Sequence, residues 1–337
     1  MPSVGNVTAG YVRYLFPCNQ EIQEQVNILI YAAPCCSSGH GPVPVSRLDD
    51  KFHWKSCKGK RFLFTFATNK PNMSLNDWIK EQEQRGITTF SFQQIRCVFD
   101  ERSDKSLKTD INRLTLSKRI QNVYKGFYVI IPIQYQLKGV VPPTYYINEL
   151  MEYLGKPYYV GLLSAAAIYG ASHQRAMMTQ IVTTGPRPRI SNKNSLLDWN
   201  YRQQIPSELI KSRNAEMGRI NYSSAELTAV DIVQFASNIG GYQRAATVLA
   251  ELVDVLDMPK MEEVLPYTTT TAMQRFGYLL EFVLFEQDKA DQLYDIMKKR
   301  NGYFNAVLMS SEHPASDDTE SNRWRVNMNI DIEIDEL

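Results

Sequence analysis

The chain of 337 residues contains no uninterrupted run of about 18 apolar residues, so no segment reads as a transmembrane helix. Its start lacks the basic stretch, apolar run and small-residue cleavage site of a secretory signal, and a cytoplasmic location is expected. Charge of either sign is not in excess: 37 Lys and Arg stand against 36 Asp and Glu. Affinity for a polyanion can therefore come only from local clustering. Histidine is scarce, with 4 in the chain, and the 5 cysteines are an odd number. Four of them (Cys18, Cys35, Cys36 and Cys57) crowd the first part of the chain without regular spacing, so reduced thiols are expected instead of a disulfide framework. What is present is ordinary for a globular protein, with 44% hydrophobic and 22% charged residues. A chain of this length suits two or three domains of about 100 to 200 residues.

Residues 1–72 show no sustained helical or alternating period, and Gly, Pro, Ser and Cys mix between Ala33 and Val45. This stretch reads as a poorly structured N-terminal extension, either a disordered arm or the product of a misassigned start with Met73 as the true one. Cys35, Cys36, His40, His53 and Cys57 are zinc-binding residue types, but adjacent cysteines cannot form the short hairpin that aims two thiolates at one metal. No metal or other cofactor is expected.

From Ser74 the pattern becomes compact, and residues 73–140 read as one domain. Ser74 can cap a helix over about 75 to 84 that stops at Gly86. Phe92, Ile95, Val98 and Phe99 place a stripe on a second helix, where Cys97 is expected to be packed. Leu107, Ile111 and Leu114 mark a third, and 120–131, rich in Val, Ile, Tyr and Phe around Lys125-Gly126, reads as a β-hairpin. Three helices followed by a hairpin is the order of a winged helix-turn-helix.

The third helix would then be the reader of DNA. Its polar face offers Lys105, Ser106, Lys108, Thr109, Asn112 and Arg113, with Lys118 and Arg119 at its end and Lys125 in the wing. Residues 105–125 hold six Lys or Arg and one acid, a basic patch in a neutral chain. Asn112 and Arg113 are the residues suited to base edges, because amide and guanidinium groups pair bidentately with purines. The alternative is a module that uses the same helices to bind a partner protein, with the basic face merely solvated.

Pro142-Pro143 sets a boundary, and 141–337 reads as a larger mixed α/β domain, which makes the whole α+β. Helices are expected near 145–154, 164–169, 224–239, 241–256, 271–285 and 289–299, a strand at 180–184, and strand-like alternation from 324 to 334. A polar stretch containing Trp199 lies between. The turn SAAAIYGAS superficially resembles the phosphate cradle of a nucleotidyltransferase, yet the following TQIVTTGPRPRI carries no acid to bind magnesium. Asp331, Glu333 and Asp335 read as the wet face of a terminal strand. Ser164 has no nucleophile elbow, and His173 stands alone. The expectation is a protein without catalytic residues. Arg175, Arg187 and Arg189 form a possible second basic surface, with Lys193, Arg202, Lys211, Arg213 and Arg219 around them.

Four segments in order, KGFYVIIP, PPTYYINELMEYLGKPYYVGLLSAAAIYGASHQ, QRFGYLLE and RWRVNMNIDIEID, resemble the AbiEi family of antitoxins. The resemblance covers roughly residues 75–337. It implies an abortive-infection (type IV) toxin–antitoxin protein involved in phage defence. Its winged helix would repress its own operon by binding inverted repeats in double-stranded DNA. Its C-terminal domain would neutralise a nucleotidyltransferase-like toxin encoded next door, with or without direct contact. It further implies that the basic residues of the third helix and wing, Lys105, Lys108, Arg113, Lys118, Arg119 and Lys125, contact DNA. The extension over 1–72 departs from the family pattern. A degenerate nucleotidyltransferase is the remaining rival.

Overall fold

The structure, a computed structural model, describes residues 55–57, 61–63, 73–171, 178–185, 196–215, 218–300, 302–316 and 321–333. The chain divides into two compact units, Met1–Glu81 and Gln82–Leu337. In the first, β1 (Lys55–Cys57) pairs antiparallel with β2 (Arg61–Leu63), inside the stretch read from sequence as lacking elements. Helix α1 (Leu75–Gln84) starts there, with the Asp77 N–H donating to Ser74 Oγ over 3.2 Å. Leu75, Trp78 and Ile79 are buried at helical spacing.

The second unit opens with β3 (Thr89–Ser91), α2 (Phe92–Val98), α3 (Asp104–Leu116), β4 (Ile120–Tyr124) and β5 (Phe127–Ile130). Caps set both helices. Ser91 Oγ accepts the Gln94 N–H over 3.2 Å while Gln94 Oε1 accepts the Ser91 N–H over 2.6 Å, a reciprocal capping box. Ser103 Oγ accepts the Ser106 N–H at the start of α3. At its end Lys118 takes a left-handed φ of 54°, and the Lys118 and Arg119 amides reach back to the carbonyls of Thr115 and Leu114. That double closure is a Schellman ending with lysine where glycine is usual. The strands form an antiparallel sheet in the order β3-β5-β4.

Short α4 (Ile133–Gln136) and α5 (Ile147–Leu154) lead into a five-stranded mixed sheet. It is built from β6 (Tyr158–Val160), β7 (Thr179–Thr184), β8 (Leu197–Arg202), β9 (Ile210–Asn214) and β10 (Arg219–Ser223), in the order β8-β7-β6-β10-β9. Helix α6 (Leu162–Ala166) lies between β6 and β7 in the chain. After the sheet come α7 (Ala225–Gln234), α8 (Ala236–Ile239), α9 (Tyr242–Leu252), α10 (Met261–Val264), α11 (Thr270–Tyr278) and α12 (Gln287–Arg300). The last strands, β11 (Val307–Leu308) and β12 (Val326–Asn327), pair in parallel.

Alternate residues of a strand point to opposite faces, and each face of the five-stranded sheet carries its own core. Tyr159 and Val182 join the helical core with Leu163, Leu227, Val230, Phe276 and Trp324. Tyr158, Val160, Ile181 and Trp199 join a second core with Tyr146, Leu150 and Met151. That second core also contains Val123, Phe127, Val129 and Ile131 of the hairpin, so apolar packing runs across Pro142-Pro143.

Three expectations change. The polar stretch around Trp199 becomes β8, and β9 and β10 follow it. The alternation from 324 to 334 pairs only at Val326–Asn327, because the Asn327 and Asn329 side chains instead bond the backbone of the loop 310–316. The helix foreseen to 285 runs as α11 to Tyr278 and widens into a π-helical turn over Leu279–Val283, ending at Phe285 with a φ of 58°.

Candidate functional site

At 100° per residue, α3 separates cleanly into two sides. Leu107 and Ile111 are buried on one. Lys105, Lys108, Thr109, Asn112 and Arg113 are exposed on the other. Spacings of 4, 7 and 11 residues put Thr109, Asn112 and Leu116 almost in line with Lys105 along the outer ridge. Leu116, which sequence reading passed over, is 84% exposed at the end of that ridge.

The basic residues foreseen here divide by what they already hold. Lys105 and Lys125 are exposed, the latter at the hairpin turn. Lys108 Nζ lies 5.6 Å from the centre of the Phe92 ring, and Arg113 comes within 3.5 Å of Asp110. Thr109 folds its hydroxyl back to the Lys105 carbonyl, and Ser106 Oγ accepts from Arg102, which also pairs with Asp110. Arg119 is a different case, largely covered and paired with Glu83. Lys118 donates to the Leu137 carbonyl over 2.7 Å, and its stem lies on Gly139. Arg119 and Lys118 thus have structural partners within the unit, while Lys105, Lys108, Asn112, Arg113 and Lys125 face outward. Arg102 orders Asp110 and Ser106 from a turn that periodicity could not assign. Cys97 is exposed instead of packed, since α2 buries Ile95 and a residue two positions on points elsewhere.

In the second part of the unit, the turn Gly161–Ser164, which leads into the SAAAIYGAS segment, is closed by Gln180 on β7. The Leu163 N–H donates to Gln180 Oε1 over 2.9 Å, and the Gln180 N–H donates to Ser164 Oγ over 2.9 Å. Asp198 on β8 accepts from Gln180 Nε2 over 3.4 Å. Among the described residues, no group of three or more His, Cys, Asp or Glu converges as a metal site requires.

Nearby, Arg202 departs from the surface role foreseen for it. It is 6% exposed and paired with Asp231, which also accepts the Tyr159 hydroxyl over 2.7 Å, and it donates to the Tyr267 carbonyl. Position 202 shares the core-facing side of β8 with Asn200, which is why this arginine turns inward. Burial pushes the Asp231 carboxyl up, while Arg202 and Tyr159 pull the other way. Lys211, Arg213 and Arg219 are exposed on β9 and β10. Arg175, Arg187, Arg189, Lys193, His173 and Asp335 lie outside the described residues, as do Cys35, Cys36, His40, His53 and the side chain of Cys57. An open groove of about 780 Å³ runs past α5 and the edge of the sheet, lined by Asn148, Glu152, Lys156, Gln203, Ser212 and Asn221 among others. No described helix is long and apolar enough to cross a membrane.

No curated protein matches the chain. Among solved structures it is similar to the RV2827C protein from Mycobacterium tuberculosis. The identity is 14%, the match covers 74% of this chain and 89% of that one, and the TM-score is 0.55. At that identity the likeness is one of fold alone. The family model of the AbiEi antitoxin C-terminal domain matches residues 159–282, which span β6 to the π-helical turn. Over that segment the chain is thus similar to the AbiEi antitoxin C-terminal domain, in agreement with the resemblance of its motifs.

Proposed function

We propose that this protein is a non-enzymatic antitoxin and autorepressor. Residues 73–140 act as a winged helix-turn-helix on inverted repeats of its own promoter, and the C-terminal domain neutralises a nucleotidyltransferase-like toxin encoded next door. The observation that carries the DNA-binding half is the outer ridge of α3, where Lys105, Lys108, Asn112 and Arg113 face solvent opposite the buried Leu107 and Ile111. Lysines there suit phosphate, and an Asn–Arg pair suits purine edges. The element order helix, strand, two helices and hairpin, with sheet order β3-β5-β4, supports the winged-helix assignment. The antitoxin half is supported by the family match over 159–282. Ser164, which opens the SAAAIYGAS segment, accepts the Gln180 N–H, and Ala165 and Ala166 after it are buried, which favours a structural role for the start of the segment that resembles a nucleotide cradle.

Two cellular readouts test the two halves separately. A reporter driven by the protein's own promoter should be repressed by the wild type and released by Lys105→Ala/Asn112→Ala. Co-expression with the neighbouring toxin should restore growth with both proteins. Full repression by the variant would remove the ridge as reader, and failure of the wild type to restore growth would remove the antitoxin reading.

A further inference from the structure

The hairpin turn that presents Lys125 is held from two sides. From the start of α2, the Phe92 N–H donates to the Gly126 carbonyl over 2.8 Å. From α5, beyond Pro142-Pro143, the Tyr153 hydroxyl donates to the Lys125 carbonyl over 3.3 Å. The Tyr153 ring packs at 5.3 Å from Phe127 and 6.3 Å from Tyr124, the residues flanking the turn on its two strands. Gly126 holds a φ of 80°, and a Cβ there would come 3.0 Å from the Tyr153 hydroxyl, so the turn is closely fitted to this side chain. The Tyr153 phenol is protonated at neutral pH like any tyrosine, and burial raises it further above its ordinary value.

We propose that Tyr153 is a positioning residue for DNA binding: it fixes the turn so that Lys125 meets a backbone phosphate in register with the α3 ridge. This rests on the DNA-binding reading above. A lysine on a loose turn still attracts phosphate, but it samples many positions, and less of its contact is realised in the complex. Tyr153 does not touch DNA in this account; it acts through the Lys125 backbone. The antitoxin-side helix thereby contributes to the geometry of the DNA-reading side.

The test uses the full chain and a fluorescent duplex of its own promoter, titrated across a salt series. Loss of one phosphate contact lowers the slope of log affinity against log salt by about one. Lys125→Ala should show that loss, and Tyr153→Phe, which keeps the ring, should show a substantial fraction of it at an unchanged melting temperature. The double variant should bind no more weakly than Lys125→Ala alone, whereas Lys105→Ala combined with Tyr153→Phe should lose both contributions in full. A wild-type slope for Tyr153→Phe, or additive losses in the Tyr153/Lys125 pair, would overturn the proposal while leaving DNA binding intact. Absence of any duplex binding by the wild type would instead overturn the DNA-binding reading and this inference with it.

Discussion

A methyl group added at Gly277 would lie 2.2 Å from the Trp324 ring, closer than atoms approach without displacement. Around that contact Gln274 donates to the Trp324 carbonyl over 2.6 Å, and Glu281 accepts from Trp324 Nε1 over 2.7 Å and from Arg323 Nε over 2.6 Å. Gln274, Gly277 and Glu281 thus form a slot that takes Arg323-Trp324. Gly277→Ala is expected to destabilise the fold by about 1–3 kcal/mol or more, read as a lowered urea midpoint, because the helix and indole must separate. An unchanged midpoint would contradict the slot. A second residue-scale test concerns Asp231. Asp231→Asn keeps the shape but strips the buried Arg202 of its counter-charge, and a loss of about 3–5 kcal/mol is expected in denaturant unfolding. Both QRFGYLLE and RWRVNMN stood out in the sequence as motifs, yet why they matter was not legible there. The reason is a packing contact between segments far apart in the chain, which periodicity does not encode.

At the scale of elements, local rules served well where a helix buries one stripe. The ridge of α3 was legible because Leu107 and Ile111 fix its inward side and the remaining positions follow by rotation. Its ending was not, since Lys118 occupies a left-handed position usually taken by glycine and sends its side chain to Leu137 instead of outward. The strands β9 and β10 were missed because Lys, Arg, Asn and Ser dominate them with few apolar residues, whereas β8 does alternate Leu197, Trp199 and Tyr201 with polar residues, a period the reading of this stretch as polar passed over. The start of α3 offers a clean test. Ser103→Ala removes the side-chain acceptor for the Ser106 N–H and should cost about 1 kcal/mol of stability in thermal unfolding. An unaltered melting temperature would show that another group caps the helix.

At the scale of the whole molecule, the hairpin and the five-stranded sheet share one apolar core. Val123, Phe127, Val129 and Ile131 pack in the same cluster as Tyr146, Leu150, Tyr158 and Trp199. Apolar packing therefore continues across the boundary suggested by Pro142-Pro143. A fragment ending at residue 140 would expose that side of the hairpin to water. It is expected to aggregate or to show poorly dispersed NMR resonances, and a well-folded fragment would contradict the shared core. The central claim is that the outward ridge of α3 reads duplex DNA. Its most direct test is fluorescence anisotropy of the full chain with its own promoter duplex and a scrambled duplex over a salt series, beside Asn112→Ala/Arg113→Ala. The account predicts salt-sensitive binding that prefers the promoter and loses that preference in the variant. Equal affinity for both duplexes, or a variant that discriminates as well as the wild type, would contradict it.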